Sequence, residues 1–152
     1  MEIKFMQVAI CEAQKAYRKD EVPIGACVVK EGKVISKAHN KTEKTQIATH
    51  HAEIIAINKA CKKLKSWRLD DCEIYVTAEP CAMCAGAIAN ARIKKVYFGA
   101  YESKSGCAES LYPVLKQNGL NHSCEFQGGI ELEICSSLLK NYFKGKRKTK
   151  NP

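Results

Sequence analysis

The chain has 152 residues, of which 45% are hydrophobic, and a formal net charge of +9. Such a length suits one domain with a real core, and no apolar run approaches the roughly 20 residues of a membrane helix. The opening Met-Glu-Ile-Lys-Phe-Met lacks the pattern of a secretion signal, so the nine cysteines are expected to stay reduced, in a cytoplasmic protein.

Residues 3–19 predict a first helix, because Met6, Ile10, Ala13 and Tyr17 fall on one face of a 3.6-residue repeat. After Pro23, residues 24–29 read as a buried strand, and Glu31-Gly32 as a tight turn into a second strand over 33–37. His39-Asn40 opens a polar loop reaching about residue 48. Thr49 is the expected N-cap of a helix that carries His51 and Glu53 near its start, with Ile54, Ile55, Ile57, Ala60 and Leu64 as its apolar face. Lys62, Lys63 and Lys65 sit where they complement that helix's dipole, and Trp67 is expected to pack over its end. Residues 73–78 predict a strand, broken by Glu79-Pro80, and 82–91 a helix of small residues. A strand over 95–99, a loop over 99–106, a short helix over 110–116, a weak strand over 124–127 and a helix over 130–143 complete the chain. Strands alternating with helices imply an α/β layered domain. Cys11, Cys27, Cys61, Cys72, Cys107, Cys124 and Cys135 read as small buried or partly buried hydrophobes.

Two short stretches carry the chemistry: His51-Ala52-Glu53 and Pro80-Cys81-Ala82-Met83-Cys84. Zinc favours histidine nitrogen and cysteine sulfur in a tetrahedral shell, and a catalytic site keeps the fourth position for water. His51, Cys81 and Cys84 supply three ligands, two of them thiolates that a helix N-terminus favours. Glu53 is placed to take a proton from the water and pass it on. A structural site would instead need a fourth protein ligand, for which His50, Cys72 and Cys107 are candidates. A Cys-x-x-Cys alone is shared with redox motifs, and Glu53 alone would read as a carboxylate favoured by the helix dipole. The two stretches together are far more specific.

The pattern resembles the established signature of the zinc-dependent cytidine/deoxycytidylate deaminase superfamily. Glu21-Val-Pro-Ile-Gly-Ala26, His51-Ala-Glu-Ile-Ile-Ala56, Tyr75-Val-Thr-Ala-Glu-Pro-Cys-Ala-Met-Cys-Ala-Gly86 and Asn121-His122 extend the resemblance to the bacterial tRNA adenosine deaminases. The resemblance implies a cytidine-deaminase-like three-layer α/β/α fold with a five-stranded mixed sheet, while length and charge distribution divide the chain into a single domain at 1–143 and a basic tail at 144–152. It implies one zinc ion per chain, a homodimer, and adenosine at the tRNA wobble position as substrate, converted to inosine. It further implies that Asn40 contacts the base, that Ile24 and Ala78 line its pocket, and that Glu102 belongs to the substrate-binding loop. The chain departs from the family pattern at Ile47, Ala48, His50, Ala78, Glu102 and Glu109, which bears on the preferred RNA rather than on the chemistry. A deaminase of a free base or nucleotide (guanine, cytosine or deoxycytidylate) on the same scaffold, and a zinc-stabilised RNA-binding protein without catalysis, are the alternatives.

Lys140, Lys144, Lys146, Arg147, Lys148 and Lys150 fall within the last 13 positions with no acid among them. Such a segment suits a polyanion, because neutralising phosphates releases counterions; it equally suits a solubilising extension. Tyr142 and Phe143 just before it could stack on splayed bases.

Overall fold

A computed structural model describes residues 2–116, 122 and 124–150. Helix α1 (Glu2–Arg18) leads into the antiparallel pair β1 (Gly25–Lys30) and β2 (Lys33–His39). Their turn takes Glu31 and Gly32 to φ of 50° and 73°, the left-handed conformations that a two-residue hairpin of matching twist requires. A single helical turn, α2 (Thr42–Thr45), interrupts the expected loop. Helix α3 (Ala52–Leu64), strand β3 (Cys72–Ala78), helix α4 (Ala82–Asn90) and strand β4 (Lys95–Ala100) follow. The short strand β5 (Glu125–Gln127) and helix α5 (Leu132–Lys150) come last.

The five strands form one mixed sheet in the order β2-β1-β3-β4-β5. β1 is antiparallel to both β2 and β3, while β3, β4 and β5 run parallel. Each parallel step has a helix or a long connection between its strands, as crossover geometry demands. One core cluster joins Ala52, Ala56 and Ala60 of α3 with Ala85 and Ile88 of α4 and with Ile74, Val76, Val96 and Phe98 of the sheet. The other joins Phe5, Met6, Ala9 and Ile10 of α1 with Cys135 and Leu139 of α5. This is the expected cytidine-deaminase-like α/β/α arrangement. Across β3 and β4, Tyr75 and Tyr97 stand opposite each other and stack at 4.5 Å.

Gly25 shows why α1 can lie so close to the sheet. A Cβ there would collide with the Ala9 carbonyl and the Glu12 side chain, so only glycine permits this approach. On the far side of that contact, the Glu12 carboxylate accepts bonds from Lys15 Nζ at 2.7 Å and from His39 Nδ1 at 3.2 Å. A buried carboxylate therefore ties α1 to the end of β2.

Several local expectations change. Tyr17 is 41% exposed and meets Tyr142 edge-on, while Phe5 and Ala9 belong to the buried face of α1 instead. The N-cap of α3 is His51, not Thr49, whose carbonyl accepts the His51 N–H in a preceding turn. Trp67 is 59% exposed, flanked by the Arg68 and Arg92 guanidinium groups rather than packed over α3. Cys11 is exposed. Only Val114–Lys116 of the expected short helix forms, as one 3₁₀ turn. Helix α5 runs to Lys150, well beyond Phe143, so the basic segment through Lys150 continues a helix. Asn121 lies outside the described residues. No helix of the described residues is long and apolar enough to cross a membrane.

Candidate active site

His51 and Cys81 both occupy helix N-cap positions, of α3 and α4, and neither side chain makes a capping hydrogen bond. Both side chains are therefore free to face each other. The capping of α3 falls to Asn40, whose Oδ1 accepts the Ala52 N–H at 2.8 Å. That bond satisfies one of the helix's orphan donors from a residue on the neighbouring strand end, and so positions His51 and Glu53. Cys84 follows one turn into α4 and is buried.

The result is one compact group. His51 Nδ1 lies 3.7 Å from Cys81 Sγ and 3.6 Å from Cys84 Sγ. The three donor atoms all fall within 4.8 Å of one another, and among the described residues this is the group that could hold a metal ion. Bonds of about 2.0–2.3 Å from a tetrahedral zinc would separate such donors by roughly 3.5–3.8 Å, so the residues fit that ion. His50, Cys72 and Cys107 do not join the group.

The hydrogen bond from Cys84, aided by His51 and opposed by burial, draws the Cys81 thiol down to about 4. Cys84 is raised, because it donates to Cys81 and is buried. His51 is raised chiefly by its bond to Cys81. Metal binding would displace the remaining protons. Glu53 is 4% exposed, burial lifts its carboxyl to about 7, and its Oε1 has no hydrogen-bond partner. A buried, unpaired acceptor beside a metal-ligand group calls for a partner that arrives with metal or substrate.

The other expected residues divide. Ile24 is half-buried between the two core clusters. Ala78, opposite Ala100 at the ends of β3 and β4, is fully covered. Glu102 is half-buried, and burial together with the charge of Glu79 raises its carboxyl. His122 Nε2 lies 2.8 Å from the Ile93 carbonyl, a bond that anchors the chain ahead of β5.

Sequence reasoning missed Glu79, which reads as a strand breaker. It is 4% exposed, and its carboxylate accepts bonds from the backbone N–H groups of Glu102, Ala108, Glu109 and Ser110, at 2.7–3.2 Å, and from Ser110 Oγ. Burial alone would raise its carboxyl, but the Ser110 and backbone donors hold it below the ordinary value. An acidic residue between a strand and the Pro-Cys pair was the only visible signal.

A model of the MafB19-like deaminase family matches residues 2–147. A tRNA-specific adenosine deaminase of Bacillus subtilis is 45% identical, over 96% of this chain and 91% of its own. That of Aquifex aeolicus is 46% identical over 92% of each chain. A solved structure from a study of A-to-I editing by tRNA:A34 deaminases superposes with a TM-score of 0.87, at 40% identity, over 90% of this chain and 99% of that one. The chain belongs to the deaminases and, among them, to the family of the tRNA-specific adenosine deaminases.

Proposed function

We propose that the protein is a zinc-dependent hydrolase that converts adenosine to inosine at the wobble position of tRNA anticodons. One observation carries the chemistry: Glu53 Oε1 is buried and unpaired beside the His51, Cys81 and Cys84 donors. The relatives named above support the substrate. His51 Nδ1, Cys81 Sγ and Cys84 Sγ would hold one zinc ion. When bound, zinc supplies a water whose pKa falls toward 7.

Glu53 Oε1 would accept a proton from the attacking water and deliver it to the purine ring nitrogen as the C6–O bond forms, then carry the proton of the new C6 hydroxyl to the amino group as the C6–N bond breaks and ammonia leaves. Asn40 keeps the start of α3 in place while its side chain borders the site, and Ile24 and Glu102 belong to the surroundings of the base, whereas Ala78 is fully covered in a core cluster. The target base leaves its stack to reach these groups, which a single-stranded anticodon loop makes easier. A homodimer in the cytoplasm goes with this reading, and sedimentation of the purified protein tests the former.

The deciding experiment is incubation of purified protein with total tRNA, followed by detection of inosine at anticodon position 34. Guanine, cytosine and deoxycytidylate are assayed in parallel for released ammonia. Inosine in tRNA is the expected result. Ammonia from a free base with unmodified tRNA would overturn the substrate, and no turnover of any of them would overturn the enzyme.

A further inference from the structure

Residues 101–113, between β4 and the 3₁₀ turn, form neither helix nor strand. Their internal bonds are few, among them Gly106 N–H to the Glu102 carbonyl at 2.7 Å and Leu111 N–H to the Gly106 carbonyl at 2.8 Å. What fixes the segment is a carboxylate from outside it. Glu79 leaves the sheet at the end of β3, beside the end of the parallel strand β4, where Ala78 pairs with Ala100. From there Oε1 receives Glu102 N–H and Ser110 Oγ, and Oε2 receives the N–H groups of Ala108, Glu109 and Ser110. Gly106 passes so close that any side chain there would run into the Glu79 carboxyl. One ionised group thus converges five donors from both ends of the loop, and hydrogen bonds to a charged acceptor are the strong ones.

The same two-residue turn reaches the metal group. Pro80, between Glu79 and Cys81, accepts the Cys107 N–H on its carbonyl at 2.8 Å. Cys107 and Ala108 also join the core cluster that holds Ala52 of α3 and Ala85 of α4, the helices that begin at His51 and Cys81. The loop that carries Glu102 and Glu109 is therefore fastened to the residues next to a metal ligand.

Resting on the deaminase reading above, we propose that Glu79 is a positioning residue: its carboxylate shapes the 102–110 loop into a wall of the base-binding site. It governs how tightly the RNA base is held, and leaves the metal to His51, Cys81 and Cys84 and the proton to Glu53.

The test uses the metal-loaded full chain and an anticodon stem-loop RNA. Glu79→Gln keeps the shape but turns a donor toward N–H groups that need an acceptor. KM should rise at least about tenfold, as loss of one strong charged hydrogen bond implies. Metal content should stay at one equivalent and kcat within about threefold on the same reasoning. Glu79→Asp, with the charge kept, should recover part of the loss. An unchanged KM would overturn the proposal, as would loss of metal together with kcat. Should Glu79→Gln fail to fold, Ser110→Ala removes one of the five donors and should raise KM by roughly two- to fivefold at constant kcat; an unchanged KM there overturns it equally. If wild-type protein binds the RNA without forming inosine, the deaminase reading fails, and the same variants are compared by Kd, with the same shifts expected. If it neither binds nor turns over the RNA, both readings fall.

Discussion

On the proposed function Glu53 and the three donors do different work, so their substitutions should separate. Glu53→Gln keeps size and polarity but cannot take a proton. Turnover should fall by at least the roughly 10²–10⁴ of general acid–base catalysis, while metal content and RNA affinity stay near wild type. Near-normal turnover would assign the proton to another group. Cys84→Ala removes a buried ligand and should leave well under one equivalent of zinc by metal analysis, with activity lost. Removing the metal from wild type with a chelator should expose half-buried Cys81 to iodoacetamide, and reloading zinc should protect it. Exposed Cys11 labels in both states, whereas burial pushes the Cys27, Cys124 and Cys135 thiols up to about 12 and keeps them inert. Equal labelling of Cys81 with and without zinc would remove it from the ligand set.

At the scale of elements, the metal group depends on two helix starts, and one is held from outside by Asn40. Asn40→Ala should cost about 1 kcal/mol of stability, the usual worth of a lost N-cap acceptor, measured by urea unfolding. It should also weaken zinc retention, since His51 is the N-cap whose orientation that bond supports. The other element with a consequence is α5. Its basic residues extend a helix, and Lys146 binds the Asp20 carboxylate at 2.7 Å, close to the Tyr142 hydroxyl bonded to the Asp20 carbonyl. An exposed ion pair of this kind contributes little to stability. Truncation after Phe143 should therefore leave fold and zinc intact, weaken anticodon stem-loop binding, and flatten log affinity against log salt by up to about one unit per lost phosphate contact. An unchanged slope would make the segment a solvated helix end.

For the whole molecule, the buried Glu12–His39 contact joins layers that are 27 residues apart in the chain. Burial would raise the Glu12 carboxyl, but the bonds from Lys15 and His39 outweigh it and bring it below its ordinary value of 4.5. A carboxyl lowered on folding adds stability that is fully present above 4.5 and is lost as pH falls through the folded value. His39, lowered chiefly by burial, acts in the same direction, because it too binds its proton more readily once unfolded. Stability followed by circular dichroism should therefore decline in mild acid, and more shallowly in Glu12→Gln, whose neutral amide has no such titration. Parallel acid limbs for the two proteins would show that Glu12 is not a source of the acid sensitivity.

Much of this protein was determined by sequence alone, for a local reason. The alternation of strands and helices follows from short-range apolar periodicity, and the three donors that could hold a metal, with Glu53, fall in two stretches whose residue types already suggest their chemistry. Each stretch also begins a helix, so the spacing within it fixes which atoms can converge. Tertiary structure decided the remainder. Nothing local marks Glu79 as the support of a loop 23 to 31 residues further along, because four of its five donors are backbone N–H groups, which every non-proline residue has. Asn40 reads as a turn residue until β2 brings it against the first N–H of α3. Trp67 and Tyr17, apolar enough to predict burial, stay exposed, Trp67 between the Arg68 and Arg92 guanidinium groups and Tyr17 against Tyr142. Periodicity says which residues share a face, but only the path of the chain says what that face meets.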